Sequence, residues 1–132
     1  MLPLDEILAR GVRGESDVGV VATRDRGRLA IIAWNYHDVA GDASGSREIL
    51  LELTGLKSSV GAVREYRIDE VSANAYSAWR RLGSPSTPSV DQVRELTAAA
   101  ELKPIARQLE ERVLPLSLPA QSVVLIEIEV GE

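Results

Sequence analysis

A chain of 132 residues, 45% of them hydrophobic, has the size and apolar content of one folded domain rather than of a disordered segment. Its formal net charge of −5 disfavours nucleic acid or an anionic membrane as a partner. Without cysteine it has neither disulfides nor a thiolate metal site, and no apolar run approaches the ~18 residues of a membrane span.

The chain opens on Met1-Leu2-Pro3, which does not begin a signal peptide. Leu4 to Ala9 is mildly helical, with Asp5 and Glu6 in its first turn, and Gly11 and Gly14 end it. Val18, Val20 and Ala22 alternate with Gly19, Val21 and Thr23, which predicts a first strand. Asp25-Arg26-Gly27 is a hairpin turn, flanked by Arg24 and Arg28 on an exposed charged face. Arg28 to Tyr36 is the longest and most apolar strand, expected to be buried on both faces if it is central. His37 to Ser46 collects turn residues and reads as a loop. Ile49, Leu51 and Leu53 then alternate with Glu48, Leu50 and Glu52, in a strand that stops at Gly55. Ala62 to Asp69 is the next strand. In it Tyr66 and Ile68 alternate with Arg67 and Asp69, as on a half-buried surface.

Beyond Asn74 the period changes. Ala75, Ala78, Trp79 and Leu82 lie on one helix face, Gly83 is a C-terminal stop, and Pro85 and Pro88 bar continuation. Ser89 with Gln92 forms a capping box for a second helix, whose stripe is Val90, Val93, Leu96 and Ala100. Lys103-Pro104 is a boundary, and Ile105 to Arg112 stays open between a helical turn and an irregular link. Val113 to Leu118 and Ser122 to Val130 are strands joined around Pro119-Ala120-Gln121. In the last of them Val124, Ile126, Ile128 and Val130 share a face opposite Glu127 and Glu129. Short strands, sequential hairpins and no βαβ alternation predict a mainly β single domain, an antiparallel β-sandwich with a helix-loop-helix inserted at about residues 74–100.

Candidates for chemistry are few. His37 is the only histidine, and its plain reading is a loop or strand-end residue bonded to a neighbour such as Asp38. Asp69-Glu70 is the one carboxylate pair at a strand end, and a cap or turn for the following helix is the simpler use. Gly11, Gly14, Gly41 and Gly45 do not make a phosphate loop, and no cofactor or metal is expected. Trp34 with Tyr36 on one strand face, and Tyr76 with Trp79 at i and i+3 on a helix, are possible sugar or inter-domain platforms. With no phenylalanine to fill the interior, use of these aromatics as core or interface anchors is the expectation.

Arg67-Ile68-Asp69, Asn74-Ala75-Tyr76, Trp79, Gly83-Ser84-Pro85 and the upstream Trp34-Asn35-Tyr36-His37-Asp38 resemble glycoside hydrolase family 39, which holds the β-xylosidases and the α-L-iduronidases. The resemblance runs from about Leu4 to Ile128 and lies in the C-terminal region of that family, with the β-xylosidase branch the better match. It implies a β-sandwich carrying a helix-loop-helix, accessory to a catalytic (β/α)8 barrel whose glutamates are the acid/base and nucleophile. Those barrel residues are not in this sequence, so the resemblance gives no residue here a catalytic role. It makes Trp34, Tyr36, His37, Asn74, Tyr76 and Trp79 the candidates for sugar or inter-domain contact. Ser72-Ala73 stand where family members often have His-Ser, and Ser86-Thr87 where glutamines are common, which weakens any inherited polar contact there. The expected role is a non-catalytic domain, part of a larger glycosidase, that packs on the barrel. An exposed sheet edge, prone to self-association, is a corollary, because a short segment ahead of the barrel completes the family's sandwich. The alternatives are a free-standing carbohydrate-binding module for xylo-oligosaccharides, and a protein-interaction sandwich with no sugar connection.

Overall fold

The computed structural model describes residues 17–36, 45–56 and 59–131. The helical reading of Leu4 to Ala9, His37 and most of the loop after it lie outside the described residues. Among the described residues, seven strands and two helices follow in the order β1 (Asp17–Asp25), β2 (Arg28–Tyr36), β3 (Arg47–Glu52), β4 (Val60–Ile68), α1 (Ala75–Arg81), α2 (Val90–Ala99), β5 (Ile105–Arg107), β6 (Val113–Leu118) and β7 (Ser122–Val130). A five-stranded sheet has the order β1-β2-β7-β4-β5, and β3 pairs with β6 in a second, two-stranded sheet. All pairings are antiparallel. This is the expected sandwich with its helical insert.

The core lies between the sheets, because period-two alternation gives each strand one apolar side. Leu114, Leu116 and Leu118 of β6 meet Val124, Ile126, Ile128 and Val130 of β7, with Ile31 and Ala33 of β2 and Val63 of β4. Fully burying each such aliphatic side chain is worth about 1.5–3 kcal/mol. Asn35 is also buried here, and its Nδ2 donates to the Leu118 carbonyl at 2.9 Å and to the Gly45 carbonyl, tying β2 to the end of β6.

The helices start and stop where the sequence predicts. Asn74 caps α1 through a 3.1 Å bond from the Ser77 amide, and Gly83 follows the helix with φ of 84°. Both capping-box bonds join Ser89 and Gln92 at the start of α2. The apolar stripe of α2 is left uncovered, however: no residue of the helix is buried, and Val90 and Val93 are exposed. The ambiguous stretch resolves into strand β5 and a tight turn in which the Val113 amide bonds the Glu110 carbonyl at 2.7 Å. Glu111 and Arg112 both adopt positive φ there, without glycine. Two tertiary ties hold Arg112: its carbonyl accepts from the Leu53 amide at 3.0 Å, and its Nη1 donates to the Leu56 carbonyl.

Strand β4 alternates as a half-buried strand does, with its charged side inward. Glu65, Arg67 and Asp69 follow Val63 on the inner side, while Ile68 is exposed on the outer side. Glu65 is 2% exposed, and its carboxylate is held by Arg67 Nε at 2.8 Å and by Arg107 of β5. Arg67 also reaches Asp69 at 3.6 Å and the Ser117 carbonyl at 2.8 Å, and Arg107 donates to the Pro115 carbonyl at 2.8 Å. The two guanidiniums thus bridge the sheets, from β4 and β5 to β6. Asp69 Oδ1 accepts the Val71 and Ser72 amides at 2.9 and 2.7 Å, so this carboxylate is the turn residue expected before α1. Glu65→Ala strips both arginines of their partner, and we expect a loss of about 3 kcal/mol in urea unfolding. Exposed Glu101→Ala should change stability by less than about 0.5 kcal/mol in the same assay.

Candidate functional site

Strand β4 is one strip of a larger apolar surface on the outer side of the five-stranded sheet. Register defines it. One row across the sheet reads Gly19, Trp34, Val123 and Ile68, and the next reads Val21, Ile32, Leu125 and Tyr66. Tyr36 extends the first row's end along β2. Val21, Ile32, Tyr36, Val123 and Ile68 are exposed, Ile32 at 44%. The rows beyond change character: Thr23, Ala30, Glu127 and Arg64 are followed by Asp25, Arg28 and Glu129. There Arg28 pairs with Glu127 at 3.5 Å and Arg64 with Glu129 at 3.0 Å. One half of the face is therefore greasy, and the other is ion-paired.

Strands β2 and β4 both run antiparallel to β7, so Tyr36 and Ile68 end at the same edge of this apolar half. From Ile68 the turn through Asp69 leads directly into α1, so the strand-end motif and the helical insert leave the same end of the sheet. The expectation that β2 is buried on both faces is corrected here, since the second sheet covers its inner side alone.

The candidate residues fall into two groups. Trp34 and Tyr36 lie on the outer face, with the indole across Gly19 of the neighbouring strand; a Cβ there would stand 2.1 Å from Trp34 Cζ2. Tyr76 and Trp79 stack on α1 with ring centroids 5.7 Å apart, Trp79 Nε1 bonds the Pro85 carbonyl at 3.0 Å, and Tyr76 is 64% exposed. Asn74 is committed to structure: it caps α1 and donates from Nδ2 to the Asp69 carbonyl at 2.9 Å. His37 lies outside the described residues. Core use of the aromatics does not hold, because no aromatic side chain is in the core.

Val21, Ile32, Tyr66, Ile68, Val123 and Leu125 escaped sequence reasoning. Their signal is in the pairs Val20-Val21 and Ile31-Ile32 and the run Val123-Val124-Leu125-Ile126, where both phases of the alternation are apolar. Chemically the face offers carbon and ring surface with few polar groups, which suits another protein surface better than a hydroxyl-rich sugar. Among the described residues no cluster of histidine, cysteine and carboxylates could hold a metal. The acidic pair of the outer face is matched by arginines, and Asp69 is spent on its turn. Gly19→Val should displace the indole of Trp34 and lower stability by about 1–3 kcal/mol in urea unfolding. The double variant Gly19→Val/Trp34→Leu should recover part of that loss, since the clash is between those two side chains.

No curated protein matches the chain by sequence. Among solved structures, a monomeric beta-xylosidase from Caulobacter crescentus CB15 aligns over 83% of this chain and 26% of its own, with 30% identity and a TM-score of 0.67. A GH39 beta-xylosidase from Caulobacter crescentus covers 83% of this chain and 22% of its own, with 36% identity and a TM-score of 0.66. The GH39 enzyme from Xanthomonas axonopodis pv. citri, at 14% identity and a TM-score of 0.62, shares the fold. This chain thus spans about a quarter of the length of the β-xylosidases it matches. The sequence profile described as "Glycosyl hydrolases family 39" matches residues 5–111, and with that match over most of its length the chain belongs to this family.

Proposed function

We propose that this chain is the non-catalytic accessory sandwich of a β-xylosidase-like retaining glycoside hydrolase, and that it packs on the catalytic (β/α)8 barrel. The observation that carries this reading is the apolar half of the outer sheet face. Ile32, Trp34, Tyr36, Val123 and Ile68 form a surface whose exposure to water is costly and whose burial against a barrel is favourable. Family membership supports a barrel as that partner, since the matched β-xylosidases are about four to five times as long as the region they share with this chain. The ion-paired half of the face then forms the wet rim of the contact.

A chimera tests it, with this chain replacing the matching region of the Caulobacter crescentus CB15 β-xylosidase. It should be soluble and hydrolyse an aryl-xyloside, and the chain alone should not. In the chimera, Ile32→Glu or Val123→Glu should lower the thermal midpoint by about 5 °C or more, while either substitution in the isolated chain should cost little. Equal effects in both settings would remove the docking role. Heat on titrating the isolated chain with xylotriose, lost in Trp34→Ala or Trp79→Ala, would favour the carbohydrate-binding alternative. Hydrolysis by the isolated chain that vanished in Glu70→Gln would overturn the non-catalytic assignment.

A further inference from the structure

A sheet edge is an open row of backbone donors and acceptors, and folded proteins normally blunt it with charge, proline, a bulge or shortness. Three of this sandwich's edges are blunted in that way. Strand β5 is three residues long. Strand β6 carries Pro115, which has no amide to donate. Strand β3 presents Arg47, Glu48 and Glu52. Strand β1 has none of these devices in its middle. It is nine residues long, pairs with β2 without a register break, and runs Val18-Gly19-Val20-Val21-Ala22 free of charge and proline. Its side chains are uncovered on both faces: Val18 and Val20 toward the inner side, Val20 at 53% exposure, and Val21 toward the outer side.

We propose that β1 pairs with β1 of a second copy, antiparallel and centred on Val20, to join the two five-stranded sheets into one. The choice of partner follows from the sequence, because this edge is close to its own complement. A twofold axis normal to the sheet keeps the inner faces on one side, so paired residues must share a face and the axis must pass through a residue. Centred on Val20, Val18 meets Ala22 of the second copy, Gly19 meets Val21, and Val20 meets its own mate. Each pair then joins small apolar side chains, which is favourable in a sheet. Centred on Val21, the axis instead sets Val18 against Arg24 on both sides, so an apolar residue opposes a charged one and this register is disfavoured. The Val20 register also sets Val21 of the second copy beside Gly19, next to the indole of Trp34, so the apolar outer face continues across the axis. This pairing uses the edge and is independent of the docking assigned to the face.

The absence of cysteine gives a direct test. Single variants Val20→Cys and Thr23→Cys are oxidised at a concentration where sedimentation velocity detects a dimer. Directly paired residues lie within disulfide range, whereas two Thr23 residues would be about 20 Å apart in this register. The expected result is a cross-linked dimer from Val20→Cys and none from Thr23→Cys, with Val20→Lys weakening association at least about tenfold while keeping its far-ultraviolet dichroism. A monomer at every concentration tested, cross-linking of Thr23→Cys as readily as Val20→Cys, or association untouched by Val20→Lys would each overturn the proposal.

Discussion

The buried carboxylate of Glu65 constrains more of this domain than any single apolar contact. It sits between sheets, where an unpaired charge is untenable, and two arginines from adjacent strands take its oxygens. Each arginine then spends its remaining donors on β6 carbonyls, Arg67 on Ser117 and Arg107 on Pro115. That arrangement does three things at once. It docks the small sheet on one side of the large one, it anchors the three-residue strand β5 that would otherwise fray, and it fixes which way β4 faces. Because strand side chains alternate strictly, a strand with Glu65, Arg67 and Asp69 inward must turn Tyr66 and Ile68 outward.

The outward turn of Tyr66 and Ile68 has a consequence across the sheet. Their register neighbours Leu125 and Val123, and beyond them Ile32 and Trp34, are also apolar, so the outer face accumulates carbon surface where an ordinary sandwich would be polar. Stability of the isolated domain does not call for these residues. Their cost in water is recovered only when something covers them, and the same holds for α2, which buries none of its residues. The domain thus keeps an ionic cluster inside and leaves carbon surface outside.

Much of the fold was legible. The Asn74 and Ser89 caps, the Gly83 stop and strands β6 and β7 follow local rules that tertiary contacts did not override. The turn at Glu110–Val113 was not, because its positive-φ positions hold Glu111 and Arg112, held by long-range bonds to Leu53 and Leu56 that no local pattern encodes. The sense of β4 is not legible for a related reason. Tyr-Arg-Ile-Asp looks like a strand with its apolar side buried, and only the distant Arg107 makes the charged side the inner one. The site is half legible: Trp34 and Tyr36 stand out as aromatics, but the aliphatic residues around them have a core pattern, and only the two-stranded second sheet leaves them uncovered.

The carboxylates described in the interior and on the outer sheet face are committed to structural bonds. A retaining glycosidase needs two carboxyls about 5–5.5 Å apart across an open cleft, with lone pairs free to meet the sugar. Here both oxygens of Glu65 are taken by guanidiniums in a closed interior. Asp69 Oδ1 holds two turn amides and Oδ2 faces Arg67, and Glu127 and Glu129 are matched with Arg28 and Arg64. Glu48 accepts the Ser117 hydroxyl at 2.5 Å across the small sheet. Each of these acids is fixed in a bond that holds strands or turns together, and moving any of them toward a substrate would first have to break it. Their chemistry is spent on architecture.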